Sequence, residues 1–332
     1  MSRRPDMKIC VLEEAGPSEP LPREDQDWPT VILPYLDGHY CEVHGLEKKS
    51  SVERVTQLVG QGFDVFVNLC DGSWDSDSPG IEVVQTLERL NVPFTGASSS
   101  FYDPSRVEMK EICERLGIGF PSYVMAKSSS EVAQALSELE FPMIVKHPNG
   151  YSSWGLTKAS RVEDAESLEL QAAQAIDSFG RALVEEFIEG REFTVLVAEH
   201  PDDAANPVVY EPVEFRFPDG ETFKHWDLKW KDFDGMTCVP CDDPALSERL
   251  KDVSRRMFLG LEGNGYGRCD IRVDTEGELF MLEINPNCGV FYDPEDAGAA
   301  DFILLNDAQG HVGFVNLILR SAMNRVRVNE AT

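Results

Sequence analysis

Two acids and an amide carry the most chemical information in this chain. The stretch "RCDIRVDTEGELFMLEIN", residues 268–285, reads as two apolar-alternating segments around Glu276-Gly277. A two-residue turn there sets Thr275 against Glu278, Asp270 against Glu283 and Arg268 against Asn285. Side chains on a strand alternate faces, so Cys269, Ile271, Val273, Phe280, Leu282 and Ile284 share one face. Arg268, Asp270, Glu283 and Asn285 collect on the other. A slip of one residue would set the apolar face against the polar one. Directly opposed carboxylates repel unless a proton, a side-chain cation or a metal stands between them. Oxygen donors from Asp, Glu and Asn suit Mg²⁺ rather than Zn²⁺, and Mg²⁺ commonly bridges carboxylates to substrate phosphates. The plainer alternative is an ion-paired, exposed strand end.

Such a metal calls for a phosphate cradle. No GxxxxGK[ST] is present, and "GNGYG" (263–267) follows a helical pattern, so it reads as a turn. In "VKHPNGYSSWG" (145–155), Lys146 ends a buried strand and Gly150, Ser152, Ser153 and Gly155 form the loop behind it. Loop N–H groups and hydroxyls can hold phosphate oxygens, with the lysine as a point charge. An ordinary hairpin loop is the competing reading. In "VEEFIEGRE" (184–192), Phe187 and Ile188 between acids could line an adenine slot, with Glu192 accepting from ribose hydroxyls; the alternative is two strands joined by a charged bend.

The elements that must position these residues are legible in outline. Strands are expected at 8–12 and 63–69 and helices at 51–62 and 80–90, with an acidic Gly/Ser loop at 70–80. This alternation predicts a parallel sheet with functional loops at its strand ends. Further helices are expected over 105–117, 130–139, 162–178, 244–261 and 311–325. A strand is expected within 141–148, a bent pair over 182–197, and turn-broken strands through 206–241.

Bulk properties narrow the class. A chain of 332 residues with 42% apolar content can bury one large core or two to three subdomains. No run of roughly 18 apolar residues exists, which argues against a membrane span. No apolar run of signal length follows Arg3 and Arg4, which argues against secretion. A formal charge of −29 would repel a nucleic-acid backbone. Of eight cysteines only Cys238 and Cys241 are close, and no second pair completes a zinc site. Scattered reduced thiols in a cytoplasmic protein fit best.

Taken in order, "FPMIVKHPNGYSSWGL", "LVEEFIEGREFTVLV", "GRCDIRVD" and "MLEINPN", with "VFVNLCDG" and "GIEVVQTLERLNVPFTGA" upstream, resemble the ATP-grasp superfamily. Within it they are similar to the D-alanine–D-alanine ligase-like branch, over roughly residues 63–325. The resemblance implies an α/β fold with α+β subdomains: an N-terminal parallel domain (1–103), a central ATP-grasp subdomain (104–188) and a C-terminal Mg-binding subdomain (189–332). It implies that Lys146, Ser152 and Ser153 bind ATP phosphates, Ser153 with a catalytic part. Glu185, Glu186, Phe187 and Ile188 would form the adenine hinge, Glu192 would meet the ribose, and Lys229 in "DLKW" would be a later phosphate-binding lysine. Asp270, Glu283 and Asn285 would hold two Mg²⁺ ions, with Mn²⁺ as an alternative, and Arg268 would stabilise an acyl-phosphate and the tetrahedral oxyanion. The implied reaction phosphorylates a carboxylate with ATP, and an amine then displaces phosphate.

The departures from that pattern are local. Arg106 stands where a nucleotide-contacting lysine is usual, with Lys110 a turn later. After Asn285 the chain reads "PNCGVFYDPEDAG" in place of a small-residue segment, so Cys288, Gly289 and Tyr292 become substrate candidates and the acceptor is expected to differ from D-alanine. Glu14, beside Glu13, is the candidate for holding a donor's amino group. The partners implied are small amino-acid-like molecules, and a homodimer is compatible with the resemblance. An ATP-grasp kinase and a non-catalytic nucleotide-binding protein are the alternatives.

Overall fold

Apolar runs ending in polar loops build the first sheet, in which β1 (Lys8–Glu14), β2 (Tyr40–Leu46) and β3 (Val65–Asn68) pair in parallel, in the order β2-β1-β3. Helices α1 (Ser51–Val59) and α2 (Ile81–Arg89) follow β2 and β3, as parallel pairing requires. The computed structural model describes residues 7–16, 30–73, 76–150, 153–230 and 235–331, with the side chains of 229, 230 and 327–331 outside that description. The chain leaving β3 is held firmly. Cys70 O accepts from Tyr102 Oη (3.2 Å) and Asn287 Nδ2 (3.1 Å), which ties this strand end to the C-terminal hairpin.

The second sheet is antiparallel and follows α3 (Arg106–Leu116). Ser105 caps that helix by accepting from Glu108 N at 3.1 Å, and Gly117 ends it at φ 63°, where a left-handed residue favours glycine. Next come β4 (Tyr123–Ala126), α4 (Ser129–Glu138), β5 (Met143–Lys146), β6 (Arg161–Val162), α5 (Ala165–Phe179) and β7 (Ala182–Glu186), with sheet order β4-β7-β5-β6. Val132, Leu168 and Ala172 of the two helices bury against Val124, Val145 and Val184 of the sheet.

The third sheet is built from β8 (Arg191–Ala198), β9 (Val208–Val209), β10 (Val213–Arg216), β11 (Thr237–Pro240), β12 (Tyr266–Val273) and β13 (Leu279–Pro286). Its order is β11-β10-β8-β12-β13, with β9 beside β8. Between these strands lie α6 (Trp226–Trp230) and α7 (Pro244–Gly260), and α8 (Ala299–Leu305) and α9 (Gly310–Ala331) follow. Phe193, Val195, Cys269 and Ile271 on one face pack against Leu250, Met257 and Phe258 of α7. That burial leaves the opposite face free to carry polar groups. Phe314 and Ile318 of α9 join Ile9 and Val11 of the first sheet in a second core. Among the described residues no single helix is long and apolar enough to cross a membrane.

The β12–β13 hairpin departs from expectation at its turn. Asp270 pairs with Glu283 and Arg268 with Asn285 as expected, but Ile271 pairs with Met281 and Val273 with Leu279. Asp274 Oδ1 accepts from Glu276 N (2.9 Å) and Glu278 N (2.8 Å), an Asx arrangement that selects a three-residue loop at 275–277 with Gly277 at φ 87°. Leu282 is then the extra residue of a β-bulge, which restores the phase before Glu283. Leu279 and Met281 are therefore buried, and Phe280 and Leu282 are half-buried, reversing the simple alternation. The elements β2, β4, α6 and α8 were not expected. Of these, α6 is a helix inside the 206–241 stretch expected to hold turn-broken strands.

Candidate active site

Register turns the polar face of the third sheet into rows. Leu196, Arg268 and Asn285 form one row and Thr194, Asp270 and Glu283 the next. Phe215, Glu192 and Arg272 form a third, β10 being joined to β8 through the Phe215–Glu192 pair. Adjacent rows are two residues, ~7 Å, apart along the strand. Within the middle row Thr194 Oγ1 donates to Asp270 Oδ1 at 2.8 Å. Arg268 grips the same carboxylate in bidentate fashion, Nε to Oδ1 at 3.0 Å and Nη2 to Oδ2 at 2.8 Å. Burial raises the Asp270 carboxyl, but Arg268 outweighs it and holds the group below its ordinary value.

Glu283 faces Asp270 as the sequence predicts, and Asn285 stands between them, its Nδ2 3.1 Å from Asp270 Oδ2 and 3.2 Å from Glu283 Oε1. Glu283 Oε2 is buried without a hydrogen bond and meets the guanidinium of Arg106 as an ion pair. Among the described residues no three His, Cys, Asp or Glu side chains converge, so the third donor here is an amide. Two carboxylates and an adjacent amide are the oxygen donors that fit a hard divalent cation. Asn285 presents its nitrogen to both acids and Arg106 supplies a countercharge; ligation of a cation by Asn285 would use its amide oxygen. Arg106 Nη2 also donates to Gly150 O at 2.9 Å, and Asn149 Oδ1 accepts from Arg106 N at 3.2 Å. One side chain thus joins the candidate phosphate loop to the candidate metal acid.

Lys146 emerges from β5 as expected, and it is paired with a buried acid. Glu185, expected at the adenine hinge, is only 1% exposed, and its carboxylate lies 2.6 Å from both Lys146 Nζ and Lys110 Nζ. Burial pushes that carboxyl up, yet the two ammoniums prevail and hold it well below its ordinary range. Its oxygens are committed to the two lysines, while the backbone that follows it is held by its own hydrogen bonds. Glu186 N donates to Ser122 O at 3.0 Å and Phe187 N to Pro142 O at 2.8 Å. Phe187 is buried beside Ile144 and Phe223, and Ile188 O accepts from Arg272 Nη1 at 2.6 Å. Glu192 sits nearby as expected, with Oε2 3.2 Å from Arg272 Nη2.

Ser153 has φ 61° and donates its hydroxyl to Lys224 O at 2.9 Å, which fastens the candidate phosphate loop to the segment before α6. Ser152 lies outside the described residues, as does the side chain of Lys229. Lys224 itself was missed by sequence reasoning: its ammonium is 3.3 Å from the Phe215 ring centroid and 4.0 Å from Glu192 Oε1. A lysine five residues before the one singled out was the available signal.

The substrate candidates after Asn285 form a pinned loop. Cys288 is buried, which pushes its thiol up to about 12 despite the nearby Arg268. A Cβ at Gly289 would overlap the Tyr292 hydroxyl, so that ring lies directly over Gly289. Phe291 takes φ 71°, rare for an aromatic residue, and is held there because Asp301 Oδ1 accepts from Phe291 N at 2.8 Å. Asp301 Oδ1 also lies 2.8 Å from His311 Nε2. At the other side of the cleft Glu14 is exposed, and Glu13 is the half-buried acid, at 3.5 Å from Thr30 Oγ1. Thr30 bridges to Tyr292, which brings Glu13 into this neighbourhood. Cys238 and Cys241 are free thiols, as expected.

A parallel α/β sheet followed by two antiparallel sheets, with lysines from one and a carboxylate–amide hairpin from the other, defines the ATP-grasp fold. The solved D-alanine–D-alanine ligase from Bacillus anthracis complexed with ATP superposes with a TM-score of 0.71 at 19% identity, over 98% of this chain and 100% of that one. The D-alanine–D-alanine ligase from Coxiella burnetii gives 0.68 at 14% identity, over 98% and 96%. In sequence, the family described as D-ala D-ala ligase C-terminus matches residues 112–292, more than half of the chain, and the chain belongs to that family. The D-alanine–D-alanine ligase of Pseudomonas putida (strain GB-1) is 31% identical over 207 residues, 61% of this chain and 61% of that protein. That of Bordetella avium (strain 197N) is 28% identical over 249 residues, 73% of this chain and 74% of that protein. The chain thus matches about three fifths of the length of the first of these curated relatives.

Proposed function

We propose that this chain is an ATP-dependent carboxylate–amine ligase whose donor is an amino acid. The γ-phosphoryl group of ATP passes to the donor carboxylate, an amine displaces phosphate from the resulting acyl-phosphate, and the products are an amide, ADP and inorganic phosphate. The observation that carries this reading is the direct opposition of Asp270 and Glu283, with Asn285 between them and Arg268 beside them. Asp270, Glu283 and Asn285 would hold Mg²⁺, two ions in this reading and replaceable by Mn²⁺. Bound there, the metal neutralises charge on the transferring phosphoryl group. Lys146, oriented by Glu185, would meet phosphate oxygens, and Glu192 would take the ribose. Arg268, already fixed by two hydrogen bonds, is preorganised to face negative charge developing at the acyl carbon.

The acceptor in this reading differs from D-alanine. Tyr292 covers Gly289, and Asp301 locks the loop that carries both, so the acceptor side is shaped by an aromatic wall. The division into segments 1–103, 104–188 and 189–332 is part of the proposal, supported by one sheet falling in each. A cytoplasmic homodimer acting on small molecules, without nucleic acid or membrane partners, completes it.

The test is an ADP-release screen over pairs of amino acids and amines, with mass detection of the amide. Release is expected only when both a carboxylate and an amine are supplied. Release that needs no amine would make the protein a kinase. Glu283→Gln should abolish turnover while nucleotide still binds, and unchanged turnover in that variant would remove the metal assignment.

A further inference from the structure

Most cations in the cleft are already matched. Arg268 has Asp270 at 2.8 Å, Arg272 has Glu192 at 3.2 Å, and Lys110 and Lys146 share Glu185 at 2.6 Å each. Lys224 differs. Its side chain is 15% exposed, its nearest ion-paired oxygen is 4.0 Å away, and among the described residues its ammonium makes no hydrogen bond. It rests instead on the face of Phe215, a contact that uses none of its three donors. A largely desolvated ammonium whose ion-pair partner is 4.0 Å away favours an anionic ligand.

Its location says which ligand. Phe215 pairs with Glu192 across β10 and β8, so Lys224 stands over the Glu192–Arg272 row. The neighbouring row holds Asp270 and Glu283. A molecule with its sugar at Glu192 and its reacting end at the acids must pass beside this ammonium. The backbone that carries it is held from several sides. Lys224 O accepts from Ser153 Oγ at 2.9 Å, Trp226 N donates to Leu156 O at 2.8 Å, and Thr222 O accepts from Arg272. Lys158 meets Glu221 at 2.6 Å, close to the same turn. A side chain rooted this firmly is placed for a ligand rather than left to find one.

We propose that Lys224 is a polyphosphate-binding residue of this site, contacting the phosphates of a nucleoside di- or triphosphate that spans the Glu192 and Asp270 rows. The inference rests on the nucleotide reading above and adds a residue to it. Its signature is selectivity between nucleotide and nucleoside, because a point charge over the phosphates leaves sugar and base contacts untouched.

Calorimetric titration of the full chain with adenosine and, in the presence of Mg²⁺, with ADP and a non-hydrolysable ATP analogue tests it. Lys224→Met keeps a side chain that packs on Phe215 while removing the charge. Affinity for ADP and the analogue should fall about 10- to 100-fold, the range for losing a charged hydrogen bond, with adenosine within about twofold of wild type. Lys224→Arg should recover part of the loss. A parallel loss for adenosine and ADP, or no loss for either, overturns the inference. Acylation of lysines in the wild-type protein, read by mass spectrometry, gives a test that needs no variant. ADP should protect Lys224 and adenosine should not, and equal labelling under both overturns the assignment. A wild-type protein that binds neither compound overturns the nucleotide reading itself.

Discussion

Glu185→Gln isolates the electrostatic centre of the second sheet. The wild-type carboxylate is 1% exposed and satisfies two ammoniums, Lys110 and Lys146, at 2.6 Å each. The amide retains the shape and removes the charge, so both lysines lose their counterion. Lys146, with 16% side-chain exposure, can turn to water; Lys110, with 4%, cannot. Removing one member of a buried pair costs ~3–5 kcal/mol, and most of that falls on Lys110. At ~2–4 °C per kcal/mol the thermal midpoint should drop by at least ~6 °C, read by circular dichroism at pH ~7. The sign of the pH response is also fixed. In the wild type the folded-state pKa of Glu185 is depressed, so its contribution is fully present above the ordinary value of 4.5 and is lost as pH falls through the folded value. In the variant that acid-side loss disappears. Burial already lowers the pKa of Lys110, and with Glu185 neutral it falls further, so the unfolded chain binds the extra proton. The variant's deficit should therefore shrink between pH ~7 and pH ~9.5. Adding Lys110→Met should recover most of the loss, because no buried charge is then left unpaired. A Glu185→Gln protein within ~1 kcal/mol of wild type, or a double variant no better than the single, would refute this account.

Two further outcomes follow from the same cleft. Arg106→Gln removes the guanidinium that neutralises Glu283, so Mn²⁺ should bind the nucleotide-free protein about tenfold more tightly, a difference of ~1.4 kcal/mol, measured by electron paramagnetic resonance titration; equal affinity would show that the ion pair does not compete with the metal. Gly289→Ala drives a methyl group into the Tyr292 hydroxyl, a movable side-chain end rather than backbone, so stability should change by no more than ~1 kcal/mol while the KM for the acceptor changes severalfold. An unchanged KM for every substrate would remove Tyr292 from the acceptor side.

Much of the site was legible because its chemistry is local in sequence. Period-two alternation across 268–285 was enough to oppose Asp270 to Glu283 and Arg268 to Asn285, and the structure has both pairs. The same reasoning failed four residues nearer the turn. There the side chain of Asp274 chose the loop length and a bulge at Leu282 compensated, a local contest that alternation does not describe. Lys146 at the end of its strand, the helix over 105–117 and the parallel first sheet were read for the same reason: each depends on neighbours a few residues away.

What the sequence by itself determined was the inventory of charged groups and the face each would occupy on its own strand or helix. Only the tertiary structure decided which charge answers which. Arg106 and Glu283 come from different sheets' neighbourhoods, as do Ser153 and Lys224, and Glu185 is answered by two lysines that α3 and β5 bring to it. Glu13 is brought to Thr30, which bridges to the Tyr292 loop, a contact that strand periodicity does not foretell. Periodicity acts over a few residues along one element, whereas ion pairing acts across space. It is set by where three independently formed sheets converge.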